Sequence, residues 1–207
     1  MGSRDVICAD TAKWIIWQKD IPSVITSLPD AEETIFSSDL IGWKKWFIGM
    51  VTLITTRVVS TGYSIFYQTD RRTKGGVIDK SALLHKGVEG TGIRTIFHKI
   101  CLKRDPGKIE LYRPAYTHLL CFSMLGSSGR ATPDVFPAGR MIYKNAMGLS
   151  ACKFSCKFLK EKGIESIVDP FCGQGSILAV ANKLEMDAVG VDILPEQCER
   201  AKRLKII

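Results

Sequence analysis

The stretch "VDPFCGQGSILAVANKLEMDAVGVDI", residues 168–193, decides the fold. A short apolar strand over 166–168 runs into the turn "DPFCGQGS" at 169–176. The pattern then predicts an apolar helix over 176–185 and a second strand over 188–191, ending in "VGVDI". Gly173 and Gly175 lack the side chains that would hold a ligand off the backbone, and both can adopt positive φ. Asp192, at the end of the second strand, sets a carboxylate where it can accept both hydroxyls of a ribose. Strand, glycine turn, helix, strand and acid in this order point to a ribose-bearing cofactor. Leu178 stands where the dinucleotide fingerprint has its third glycine, and no second mononucleotide unit exists for NAD. No glycine loop leads into Lys-Ser/Thr, which excludes a P-loop. The bland alternative is a tight strand–helix turn that binds nothing.

Around this stretch the chain has the composition of a globular domain. It has 207 residues, 45% hydrophobic and 24% charged, enough for one substantial core. Lys and Arg number 29 against 21 Asp and Glu, a formal charge of +8 that favours a polyanionic partner such as nucleic acid. The seven cysteines form no CxxC pair and mostly have apolar neighbours, as free thiols in a reducing compartment would. Three histidines without metal-ligand spacing leave little from which to build a metal site, so none is expected. There is no signal-peptide pattern, and the longest apolar run, 46–56, is too short to span a bilayer. A cytoplasmic or nuclear protein without membrane contact is expected.

Strands are predicted over 5–9 ("DVICA"), 23–26, 63–70 ("YSIFYQTD"), 93–102 and 116–124. Helices are predicted over 38–59, 79–89 and 148–163, with another from Pro195 onward. "RRTKGGV" reads as a polar loop, and the Gly-, Ser- and Pro-rich stretch 126–139 as a surface crossover within one domain. Seven candidate strands alternate with helices, which predicts an α/β fold with a mostly parallel sheet. The strands either side of "KRDPGKIE" have no helix between them and are expected to form an antiparallel pair at one edge.

"VDPFCGQGSILAVAN" followed by "GVDI" resembles the first two motifs of class I S-adenosylmethionine-dependent methyltransferases. It is most similar to the "DPFxGxGT" form of the enzymes that methylate amino groups in DNA or RNA (the N4-cytosine and N6-adenine type), with Ser176 in place of the usual Thr. The resemblance implies a Rossmann-like seven-stranded sheet with one antiparallel edge strand, and S-adenosyl-L-methionine as cofactor. Asp169, Pro170 and Phe171 would frame the turn, with Gly173 and Gly175 beside the methionine part. Asp192 would hold the ribose, and Ile193 would lie against the adenine. Met147 and Gly148 of "NAMG" stand where the family has methionine-end contacts.

In that family the glycine turn follows the first strand, whereas here it comes near the end of the chain. "VICAD", ending in Asp10, resembles the third strand with its adenine-side acid. "VITSLPD" resembles the fourth, "YSIFYQTD" the fifth, and the antiparallel pair the last two. The expectation is a single, complete, circularly permuted domain over 1–207. Residues 1–125 would form its substrate-side half and 140–207 its cofactor half, with the final helix leading in space to the first segment.

"SLPD" (Ser27, Leu28, Pro29, Asp30) follows a strand at the rim where open α/β sheets bind ligands. In the resembled enzymes a polar-Pro-Pro-aromatic turn lies there, accepts hydrogen bonds from the target amine and stacks a ring on the base. Ser27 and the Leu28 carbonyl could orient an amine and Asp30 could accept one of its protons, but Asp30 replaces the aromatic. Tyr67 and Tyr116 could supply a ring. Arg71, Arg72 and Lys74 beside Tyr67, and Lys103, Arg104 and Lys108 leading to Tyr112, Arg113 and Tyr116, could hold single-stranded or flipped bases. "SLPD" can equally be a plain turn, the basic loops can be solvated, and His118 reads as a packed residue rather than a base. The implied activity is methylation of a nucleic-acid base at an exocyclic amine, in RNA or DNA, with a protein partner for target selection. The alternatives are a protein or small-molecule acceptor, or a non-catalytic partner subunit.

Overall fold

The structure, a computed structural model, describes residues 2–109, 113–126 and 131–206. Tyr112 and residues 127–130 of the crossover lie outside the described residues. In chain order the strands and helices are β1 (Arg4–Cys8), α1 (Thr11–Ile16), β2 (Val24–Thr26), α2 (Leu40–Arg57), β3 (Ser64–Gln68), β4 (Arg71–Thr73), β5 (Gly76–Ile78), α3 (Lys80–Val88), β6 (Arg94–Leu102), β7 (Tyr116–Ser123), β8 (Val135–Pro137), α4 (Leu149–Glu161), β9 (Ser166–Asp169), α5 (Ser176–Lys183), β10 (Asp187–Asp192) and α6 (Pro195–Arg203). A 3-10 turn, Ala31–Glu33, follows β2.

Local chemistry sets the helix ends. The carboxylates of Asp10, Asp39 and Asp79 accept the backbone N–H of Lys13, Gly42 and Ala82 and start α1, α2 and α3. Gly163, at φ +76°, closes α4. Pro195 opens α6, where its missing N–H costs nothing. In α2 the buried Trp43, Phe47, Met50, Val51 and Ile54 recur at three- and four-residue spacing and form one face.

Among the described residues, eight strands form the main sheet in the order β1-β10-β9-β2-β3-β7-β6-β8, and β4-β5 form a separate hairpin. The sheet is parallel except for β7, which runs antiparallel to both β3 and β6. The expected single antiparallel strand is present, but it is internal. The strand at that margin is β8, which pairs in parallel with β6. β8 lies in the Gly/Ser/Pro stretch read as crossover, and "RRTKGGV" is the hairpin rather than a loop.

Side chains alternate across the sheet and so build two cores. Ile65 and Tyr67 of β3, and Leu119 and Cys121 of β7, face the layer of α4, α5 and α6. Phe66, Leu120 and Phe122 face the layer of α1, α2 and α3. The result is a three-layer α/β/α sandwich with β9, β2 and β3 at its centre. Among the described residues, no helix is long and apolar enough to cross a membrane.

Candidate active site

At the carboxyl end of β9 the chain turns sharply before α5. Gly175, at φ +82°, is the residue before the helix, and a Cβ there would sit 3.0 Å from Ala201 Cα and Cβ of α6. Gly173 is also left-handed, at φ +51°. Both positions therefore demand the residue without a side chain. The turn is tied to the next strand by Asp192, whose carboxylate accepts the Gly173 N–H at 3.0 Å and the Leu194 N–H at 2.9 Å. One backbone donor sits on each oxygen, which fixes the carboxylate and leaves lone pairs for further hydroxyls. Ile193 beside it is 62% exposed, open to a planar group.

Asp169 is buried at the root of the turn. Its Oδ1 accepts the Thr26 hydroxyl at 2.7 Å and the Phe171 N–H at 3.1 Å. Burial pushes its carboxyl pKa up to about 7, against those two hydrogen bonds and with a further push from Asp192. Through Thr26 this carboxyl joins the glycine turn to the residue before Ser27. The Pro170 carbonyl accepts the Thr11 hydroxyl of α1, so the turn is held from that side as well. Asp10 caps α1 and lies at the same rim of the sheet.

A residue missed in the sequence completes this half. The Tyr143 hydroxyl accepts the Gln174 N–H at 3.2 Å and lies 3.4 Å from where a Gly173 Cβ would be, so the phenol covers the glycine turn. Burial, with Asp169 nearby, pushes its pKa above the ordinary phenol value. Nothing in "MIYKNAMG" marks Tyr143 out, because only the fold brings it to the turn. Met147 and Gly148, expected at the methionine end, have packing roles. Met147 is buried in the core, and a Gly148 Cβ would sit 2.2 Å from the Ala138 carbonyl oxygen.

On the substrate side, Ser27 is half-buried at the end of β2. Leu28 is buried, and its carbonyl accepts the Gln68 amide at 3.4 Å. The Pro29 carbonyl accepts the Trp43 indole N–H at 3.3 Å. The Asp30 carboxylate is taken up by the buried Lys80 ammonium and by Arg113 at 3.6 Å. Lys80 in turn lies 5.6 Å from the Trp43 ring centroid.

Of the two tyrosines expected to supply a ring, Tyr67 is taken into the core, whereas Tyr116 is half-buried beside Asp70. Tyr67 is 6% exposed and belongs to the core under α4, with its pKa raised by burial. Its side chain falls on the α4 side because β3 alternates. Tyr116 donates to Asp70 at 3.2 Å. Arg71 pairs with Glu32. With Arg72, Arg113, Asp30, Glu32 and Asp70, it lines a polar cavity of about 170 Å³ at the rim beside "SLPD".

Behind that cavity His118 is held at both ring nitrogens, Nε2 by Asp70 at 3.0 Å and Nδ1 by His98 at 2.9 Å. Burial alone would raise the Asp70 carboxyl. The hydrogen bonds from His118, the Lys80 backbone and Tyr116 overcome it and hold the group below the ordinary range. Asp70, Asp79 and His118 come close enough to suggest a metal cluster, but His118 has no ring nitrogen outside these internal bonds.

Neither family models nor curated protein sequences match the chain. Solved structures do. TTHA0409 of Thermus thermophilus, described as a candidate DNA modification methylase, in its S-adenosyl-L-methionine complex, is 16% identical over 98% of this chain and 92% of its own, with a TM-score of 0.70. The cytosine-N4-specific PvuII DNA methyltransferase is 12% identical over 99% of this chain and 88% of its own, with a TM-score of 0.77. The M1.HpyAVI complex with SAM is 14% identical over 97% of this chain and 98% of its own, with a TM-score of 0.67. These likenesses span nearly the whole of both partners, and they show that the chain has the α/β fold of DNA methyltransferases.

Proposed function

We propose that the chain is an S-adenosylmethionine-dependent methyltransferase acting on an exocyclic amine of a nucleic-acid base. The observation that carries the reading is Asp192, whose carboxylate is fixed by one N–H on each oxygen beside a side-chain-free turn. This is the acceptor a ribose needs, and the glycines leave room for the group attached to it. Bound there, the cofactor would supply an electrophilic methyl group. Gly173 and Gly175 would let it approach the backbone, Asp192 would hold its ribose, Ile193 would lie along its adenine, and Tyr143 would cover its methionine end.

Ser27 and the Leu28 carbonyl stand at the end of the neighbouring strand, where they can turn an amine lone pair toward that methyl. Methyl transfer is an in-line displacement, so orientation supplies much of the rate. Asp30, bound to Lys80 and Arg113, serves the shape of the "SLPD" turn on this reading rather than accepting a proton from the amine. The chain's excess of Lys and Arg suits a polyanionic acceptor. The DNA methylase descriptions of the similar structures support nucleic acid over a protein or small molecule.

We also read the strand order as a circular permutation. The glycine-turn strand β9 sits between β10 and the "SLPD" strand β2, as the first strand of the family sits between the second and fourth.

The test is transfer of labelled methyl from S-adenosylmethionine into RNA and, separately, DNA, with nucleoside mass spectrometry to name the product. Ser27→Ala should abolish most turnover while leaving cofactor affinity unchanged. Asp192→Ala should weaken cofactor binding on the order of tenfold or more, the worth of a charge-assisted hydrogen bond. Unchanged affinity in Asp192→Ala would sink the assignment.

A further inference from the structure

Resting on that reading, we infer that Trp46 is the ring on which the acceptor base stacks, in place of the aromatic residue that "SLPD" lacks. The turn itself has no ring to offer, since Asp30 is drawn to Lys80 and Arg113 and Leu28 is buried in the core. Tyr67 is committed to the core under α4, and the Tyr116 hydroxyl is held by Asp70.

Helix α2 passes directly behind the turn. Its Trp43 is fully buried and donates its indole N–H to the Pro29 carbonyl, which pins the helix to "SLPD". Trp46 is one turn further along, and residues three apart share a helix face. It reaches toward the other half of the site. Its ring meets Phe171 of the glycine turn edge-on, with centroids 6.1 Å apart and planes at 73°. Phe36 also meets it, tilted at 40°, with centroids 6.3 Å apart.

Phe171 is placed by its own N–H on Asp169, the carboxyl that also holds Thr26 next to Ser27. One ring therefore spans from the helix that braces the amine-orienting turn to the motif that would hold the cofactor. Trp43 and Phe47 are fully buried, whereas Trp46, Phe36 and Phe171 are only partly so. A large indole met edge-on by Phe171 and at a tilt by Phe36, and left incompletely covered between two motifs, is suited to a planar acceptor. Stacking on such a ring tolerates any base, which leaves selection of the amine to Ser27 and the Leu28 carbonyl.

The experiment compares wild type, Trp46→Leu and Trp46→Phe, each saturated with S-adenosylhomocysteine. Short single-stranded DNA and RNA oligonucleotides are titrated, with fluorescein anisotropy reporting binding and tryptophan emission reporting stacking. Trp46→Leu should weaken binding on the order of tenfold, the effect of removing one stacked base. Trp46→Phe should keep affinity within about threefold, because a ring remains. The quenching seen in wild type should be lost in Trp46→Phe, which retains Trp14, Trp17 and Trp43. Affinity for S-adenosylhomocysteine should be equal in all three, separating stacking from a disturbed cofactor site.

Wild-type affinity in Trp46→Leu, quenching that survives in Trp46→Phe, or a wild type that binds neither oligonucleotide would overturn the inference. Binding that depends on Trp46 without methyl transfer would refute the methylation reading and leave the stacking role standing. The nucleic acid bound more tightly distinguishes DNA from RNA.

Discussion

Replacing Asp169 with asparagine should make the protein more stable at pH 8 and change little near pH 4. The carboxyl is buried, and burial raises its pKa from an ordinary 3.8 to about 7. A group raised in the folded state contributes stability that is fully present below its unfolded value and is lost as pH rises through the folded one. The window is therefore about pH 4 to 7. Each unit is worth about 1.4 kcal/mol, so ionising Asp169 costs the wild type at most about 4 kcal/mol. About 3 kcal/mol of that falls between pH 5 and pH 8. The asparagine side chain would keep an amide oxygen for the Thr26 hydroxyl and the Phe171 N–H, at 2.7 and 3.1 Å in the wild type, and has no charge to desolvate. Urea denaturation of both proteins across this range measures the difference, and the remaining carboxylates cancel because both proteins share them. A gap between the variants that stays constant from pH 5 to pH 8 would refute the assignment of burial as the dominant cause.

Lys80→Met removes a buried ammonium and leaves Asp30, among the described residues, with the half-exposed Arg113 at 3.6 Å. It should cost about 3 kcal/mol in urea denaturation, and a loss under about 0.5 kcal/mol would show that the pair is not needed. Arg4 donates to the Ala201 and Leu204 carbonyls at 2.8 and 2.7 Å and to Asn182 at 2.7 Å. Arg4→Ala should therefore cost about 2 kcal/mol and lower Tm by roughly 4–8 °C, readable by calorimetry.

The long periodic elements were legible in the sequence because burial and local chemistry agree there. The spacing of Phe47, Met50, Val51 and Ile54 marked α2, and Asp39 and Asp79 marked the starts of α2 and α3. Short elements were not. The six residues of α1 carry too little periodicity to announce a helix, and its cap, Asp10, doubled as the end of a strand reading. β8 is three residues ending in Pro137 and exists only because β6 offers it an edge. The glycine turn and Asp192 could be read because each residue type answers a local demand. Tyr143, Trp46 and Lys80 could not, since their places depend on which loops and helices the sheet order brings together. For the same reason Tyr67, an aromatic in the right strand, lands on the core side, where strand alternation puts it.

The strand order also governs the sequence of events during synthesis. β2, β3, β7, β6 and β8 are all made before β9 and can pair as they emerge. β1, which precedes the other strands of this sheet in the chain, has β10 as its neighbour, with Arg4 opposite Ala188 and Cys8 opposite Asp192. It must wait through most of the chain with both edges unsatisfied, an opening for mispairing on the ribosome. Closure of β1 on β10 is then a long-range step, and the cofactor half of the sheet forms only after β9 and β10 have both been made.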